Sequence, residues 1–312
     1  MNQNKIFPFY KKRWIFFAVS LIIMIAGTIA VFINGVQLDI QFKGGALLKY
    51  SYVGELSTDA AADIVSGLLN RPVTTQLTSD LISGENRLVI SVADDLGLDA
   101  AEQQKLDDAL KEAFPASGLT LSESSVVEPF FGQRFLQNGI LALIISSALV
   151  VIYVWIRFHR MGGLSAGVMA LVALLHDILV VFFACVLLKI PIGDSFIAVA
   201  LTIIGYSIND TIVIYDRIRE NTRTYKKLPV DTVTDLSINQ SFTRSVNTNL
   251  AVLISVSCVY ILAFSRSLDS IQNFALPMAI GAISGCYSTI CIAGPLWVMW
   301  KKRGETAKSV QA

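Results

Sequence analysis

The chain has 312 residues, of which 54% are hydrophobic and only 16% charged, and its formal net charge is +1. A soluble domain carries charge on about a quarter of its residues, so this composition excludes an ordinary soluble fold. Near-neutral charge, with the basic residues in short clusters beside apolar runs, also excludes nucleic acid as a partner.

A membrane crossing needs about 20 mostly apolar residues. In chain order, six stretches approach that length: 14–33, 139–157, 163–188, 194–215, 245–264 and 274–299. The first follows "KKRW" but has a long apolar core and no small-x-small cleavage site after it, which predicts a retained helix and not a cleaved signal. The expected layout is an N-terminal tail over 1–13, a first transmembrane helix over 14–35, an insertion with linkers over 36–138, helices two to six within 139–299 with a loop at 217–240, and a tail over 300–312.

Lys and Arg set the orientation. Lys5, Lys11, Lys12 and Arg13 precede span one, and Arg157 and Arg160 join spans two and three. Arg217, Arg219, Arg223, Lys226, Lys227 and Arg244 join spans four and five, and Lys301, Lys302 and Arg303 follow span six. All four regions fall on one side, which the positive-inside rule makes cytoplasmic. Both termini are expected there.

The insertion reads as strand and helix signals in the order βαββαβ: "ALLKYSY" (46–52), "TDAAADIVSGLLN" (58–70), "PVTTQLTS" (72–79), "RLVISVA" (87–93), "DAAEQQKLDDALKEAF" (99–114) and "LTLSESSVV" (119–127). "ISGEN" (82–86) marks a hairpin turn, and Thr58 or Asp99 can cap the helices. This predicts a small extracytoplasmic α+β domain with two helices on one face of a four-stranded sheet. The domain contains no His or Cys, and its acids, such as Asp94, Asp95, Asp107 and Asp108, lie in surface-type runs. A binding or handling role is expected there, with no enzyme, metal or cofactor site.

The apolar spans hold the informative residues. A charge at the centre of a membrane helix costs about 2.5–3.5 kcal/mol on insertion scales, which singles out Asp177 in "ALLHDILVV" and Asp210 in "GYSINDTIVIYDRIREN". Each can either tie helices together by hydrogen bonds or bind a proton. Ser207 and Asn209 share a turn with Asp210. Arg244 opens span five among Gln240, Ser241, Thr243, Asn247, Thr248 and Asn249, and it is the candidate counter-charge to Asp210, with a static ion pair or a headgroup anchor as alternatives. A carboxylate that alternates between neutral and paired states couples protonation to movement. His176 adjoins Asp177 but does not share its helix face, so a structural role and a proton-carrying role both stand. The four cysteines lie in apolar segments and read as small hydrophobes. Gly281 and Gly285 form a small-xxx-small face in span six.

These stretches resemble a known family. "LDIQFKGG" (38–45), "HD" (176–177), "GYSINDTIVIYDRIREN" (205–221), "TRSVNTNL" (243–250) and "GAISGCYSTICIAGPL" (281–296) are similar to the SecF subunits of the bacterial Sec protein-export machinery, within the SecD/SecF family and the RND superfamily. The loop signature comprises Asp39, Phe42, Gly44 and Gly45, with Ile40 and Gln41 intervening where the family has Asp directly before Phe.

The resemblance implies an α-helical integral membrane protein of the bacterial cytoplasmic membrane, contributing six helices to an RND-type twelve-helix bundle completed by SecD. It also implies work beside the SecYEG channel and SecA, often with the small YajC subunit, on unfolded secretory proteins and driven by the proton motive force or a sodium gradient. Asp210 and Arg244 match the family's proton-path residues, with Asp177 as an assisting acid and His176, Ser207, Asn209 and Asn247 as polar support. A half-unit of a proton-driven small-molecule exporter and a purely structural assembly subunit are the competing functions.

Overall fold

The structure, a computed structural model, describes residues 6–39, 42, 45–54, 56–71, 73–79, 86–92, 98–127, 129–266 and 268–311. The hairpin turn expected at 82–86 falls mostly outside these residues, as do Asp94, Asp95 and Gly44 of the loop signature. Among the described residues, six helices are long and apolar enough to cross a membrane.

The first is α1 (Arg13–Asn34). After it comes the α/β domain: β1 (Gly45–Tyr52), α2 (Thr58–Leu69), β2 (Val73–Ser79), β3 (Asn86–Val92), α3 (Ala100–Ala113) and β4 (Thr120–Val127). The strands pair antiparallel in the order β2-β3-β1-β4, the ferredoxin-like arrangement of a βαββαβ chain. Period-two alternation explains the register: Ala46, Leu48, Tyr50 and Tyr52 of β1 and Leu88, Ile90 and Val92 of β3 point to one face. There they meet Ala61 and Val65 of α2 and Leu106 and Leu110 of α3. Asp99 caps α3 in a full capping box with Glu102, as expected. The cap of α2 is Ser57 and not Thr58, because the Ser57 side chain accepts the Ala60 backbone N–H while Thr58 is already helical.

The bundle continues as α4 (Pro129–Arg157), α5 (Gly163–Leu187), α6 (Asp194–Thr224), α7 (Val230–Ser265), α8 (Asp269–Ser288), a π-helical turn (Thr289–Ala293) and α9 (Gly294–Gln311). Together α8, the π turn and α9 make the sixth crossing. The loop expected at 217–240 shrinks to residues 225–229, since α6 and α7 run on past their apolar parts. At 1.5 Å per residue they are about 46 and 54 Å long, against an apolar layer of about 30 Å. The extension is stitched by buried Asn221, whose Nδ2 donates to Ser237 Oγ (2.9 Å) and Gln240 Oε1 (2.8 Å).

Two other contacts fix the ends of the bundle. At the end bearing the termini, residues 7–10 fold onto the extension of α7. Asn239 exchanges two hydrogen bonds with the Phe7 backbone (3.0 and 2.9 Å), and Asp235 accepts the Tyr10 N–H (2.8 Å). At the domain end, the chain leaving α1 is seated on the turn between α5 and α6. Asp39 N–H donates to Ile192 O (3.0 Å) and Ile192 N–H to Gln37 O (2.8 Å). Phe42 is buried nearby among Val181, Cys185 and Phe196.

Candidate functional site

The site is built on the inner faces of α5, α6, α7 and α8. Glycine brings three of these helices together. A Cβ on Gly281 would collide with Ile203, and one on Gly285 would lie 3.2 Å from Ser207 Cβ and 3.8 Å from Asp177 Oδ2. The small-xxx-small face of span six is therefore a packing surface for α5 and α6.

Behind that surface sits Asp177, fully enclosed. Its Oδ2 accepts from Ser207 Oγ (2.9 Å) on α6 and Ser288 Oγ (2.7 Å) on α8, and its Oδ1 accepts from Ser284 Oγ (2.6 Å), also on α8. His176 Nδ1 lies 3.3 Å from Oδ1, a hydrogen bond when that nitrogen carries the proton. The two neighbours thus touch, although consecutive residues point to different sectors of a helix. His176 Nε2 is enclosed with no partner among the described residues. One turn further along α6, Thr211 Oγ1 lies 3.1 Å from Thr289 Oγ1 at the start of the π turn, and both hydroxyls face the carbonyl of Ser207. A π turn releases backbone carbonyls from their usual donors and is common at functional positions.

Asp210 lies on the same helix as Ser207 but on the side facing α7. It is 5% exposed, and its Oδ2 accepts from Asn249 Nδ2 (2.7 Å). Asn249 is its one hydrogen-bond donor among the described residues. The same Nδ2 also donates to Ser245 O (2.9 Å), while Asn249 Oδ1 is enclosed without a donor. Tyr206 and Cys286 are close enough to Asp210 to interact with its charge.

The residues expected to act with Asp210 separate into two sets. Ser207 is brought to Asp177 instead. Arg244 is exposed and forms no salt bridge with Asp210 among the described residues, and its charge reaches the carboxylate only through space. Asn209 and Asn247 are exposed as well. Arg244, Asn209 and Asn247 are therefore exposed positions of α6 and α7, outside the buried pair of Asp210 and Asn249. Of the loop signature, Asp39 and Phe42 form the seat on the α5–α6 turn, and Gly45 begins β1 in a glycine-only backbone conformation (φ 134°).

Sequence reasoning missed Asn249 as the partner of Asp210, and missed Ser284 and Ser288 altogether. A signal existed for both. Ser241, Ser245 and Asn249 recur every four residues, as do Ser284 and Ser288, and each set lines one face of a helix. Among the described residues no three His, Cys, Asp or Glu side chains converge.

Comparison with known proteins gives a consistent picture. The family model described as protein export membrane protein SecD/SecF, C-terminal, matches residues 106–303. A SecF protein translocase subunit from Alicyclobacillus acidocaldarius is 34% identical over 294 residues, covering 93% of this chain and 91% of that protein. The SecDF translocase subunit from Bacillus subtilis is 34% identical over 309 residues, covering 97% of this chain and 39% of that longer protein. The crystal structure of SecDF from Thermus thermophilus, a translocon-associated membrane protein, matches with a TM-score of 0.79 at 26% identity. It covers 95% of this chain, which spans 39% of that one.

Proposed function

This chain belongs to the SecD/SecF family of protein export membrane proteins, and we propose that it works as the SecF-type half of a proton-driven accessory to the Sec translocase, with Asp210 as the proton-binding group. The relatives called SecDF carry a matching segment inside a chain more than twice as long, which supports a six-helix SecD partner here. Polar groups at membrane depth must be covered by protein or water, and the open side of α6 and α7 presents Asn209, Arg244 and Asn247. That side is where SecD would dock, and docking would place the partner's helices over the entrance to Asp210.

One observation carries the assignment of Asp210: it is a buried carboxylate held by a single amide. Asn249 suits both protonation states. Its Nδ2–H₂ donates to the carboxylate, and after rotation its unused Oδ1 would accept from the protonated acid. Arg244, which makes no salt bridge among the described residues, can approach when the proton leaves. Such an alternation converts a proton gradient into helix movement. The proposal includes the bacterial cytoplasmic membrane as the location, cytoplasmic termini, work beside SecYEG and SecA with or without YajC, unfolded secretory proteins as cargo, and no enzymatic chemistry of its own.

The test is export of a slow-folding substrate by inverted membrane vesicles, with and without a proton gradient. Asp210→Asn is expected to keep SecD association and ATP-driven export while losing the gradient-dependent increment, and Arg244→Ala to reduce that increment. Full gradient stimulation in Asp210→Asn, with the protein assembled, would leave Asp210 as a structural hydrogen-bonding residue.

A further inference from the structure

Between α7, α8 and the N-terminal segment lies a groove of about 690 Å³ that touches the proposed proton site only at Asn249. Its walls include Phe9, Phe16, Phe242, Leu250, Ile283 and Ile290. The polar residues among its lining are mostly occupied. Asn239 is spent on the Phe7 backbone, and Tyr287 donates its hydroxyl to Phe16 O (2.7 Å) and lies 3.1 Å from Ser20 Oγ. The groove therefore offers hydrocarbon and little else. Phe242, Leu250 and Ile283 on its rim are roughly half exposed, so it opens sideways from the bundle.

Two observations say what fits. The first is length. From Asn239 to Leu253 the groove follows α7 for about 21 Å, and half a bilayer with its headgroups is about 20–22 Å thick. A partner's transmembrane helix, about 10–12 Å across, would need a matching face through the full apolar layer of about 30 Å, but the groove stops halfway. A single acyl chain needs only this depth. The second is charge. Phe7 lines the end of the groove nearest the termini, and Lys12 Nζ stands 4.6 Å above its ring, with exposed Lys11 beside it. Cations thus crown the groove where a headgroup would sit. The nearest acids are engaged elsewhere, Asp235 by the Tyr10 N–H and Asp231 by Lys302 (2.7 Å).

We propose that this groove holds one acyl chain of an anionic phospholipid from the leaflet on the side of the chain termini, with the phosphate held by Lys12. The chain lies against Phe9 and Phe242, whose rings are 6.4 Å apart, and so joins the N-terminal segment to α7. Its inner end reaches Asn249, which lines the groove and holds Asp210. The lipid thereby backs the Asn249 amide from the side opposite Asp210, and the proposal stands whether or not Asp210 carries protons.

The experiment is native mass spectrometry of the full chain with its six-helix partner, released from mixed micelles containing phosphatidylglycerol or phosphatidylcholine. The parent is expected to retain one phosphatidylglycerol in preference to phosphatidylcholine. Leu250→Trp, which fills the groove, is expected to lose it, and Ile283→Trp serves as the second filling variant if the first does not assemble. Lys12→Ala is expected to keep a bound lipid but to lose about fivefold in preference for the anionic one. Retention unchanged by both filling variants, or no preference in the parent, would overturn the proposal. So would efficient crosslinking of Leu250→Cys to the partner protein, which would show that a protein helix covers the groove.

Discussion

Asp177 receives hydrogen bonds from three serines on α6 and α8 and touches a histidine on its own helix, whereas Asp210 receives one amide from α7. Both are buried in the same bundle, yet among the described residues both oxygens of Asp177 accept from serine hydroxyls, whereas only Oδ2 of Asp210 has a donor. A saturated acceptor on three helices resists rearrangement, because moving any one helix strands a hydroxyl in hydrocarbon. A carboxyl with one flexible donor can change partners cheaply. The comparison sets α5, α6 and α8, tied together through Asp177, against α7, which meets Asp210 through Asn249.

The largest expected effect breaks the fixed side. Asp177→Ala strands three hydroxyls, and at about 1 kcal/mol for each interhelical hydrogen bond in a membrane the loss is roughly 3 kcal/mol. The detergent-solubilised protein should unfold at lower denaturant, and partner association should fall with it. An unchanged midpoint would mean that the three serines do not hold the helices. Next, Ser284→Ala removes one of the three donors and should cost about 1 kcal/mol, with gradient-driven export retained once the protein is assembled. A selective loss of gradient-driven export would instead move Asp177 to the mobile side of the comparison. The smallest effect on stability is expected at Asn249→Ala, at most about 1 kcal/mol, measured in the same unfolding assay. If Asp210 binds protons as proposed, that variant should nevertheless reduce gradient-dependent export, because Asp210 loses its amide donor. A stability loss as large as that of Asp177→Ala would make the two carboxylates equivalent.

Much of the architecture was legible because it depends on local pattern. Span length is read along the chain, and the βαββαβ order follows from alternation, with Asp99 as a helix cap. The two buried acids were legible for the same reason, as ionisable residues inside apolar runs. Their partners were not, since they come from helices far apart in sequence. Arg244 was the natural counter-charge on electrostatic grounds. Helix geometry places it about 140° around α7 from Asn249, and Ser245 and Asn249 share the face that meets α6. The 217–240 segment was read as a loop because hydropathy ends there, but helices end where capping and packing end, and Asn221 with Ser237 and Gln240 carries both helices past the apolar layer.

Among the described residues, the chain on either side of the α/β domain joins the bundle at a defined place. On one side Gln37 and Asp39 are hydrogen-bonded to Ile192 of the α5–α6 turn with Phe42 packed nearby, and on the other β4 ends at Val127 and α4 begins at Pro129. A body tethered at one point can swing through a cone, but a body tethered at two can turn only about the line that joins them. Two connections, one of them seated on the α5–α6 turn, restrict the domain's rigid-body motion more than a single tether would.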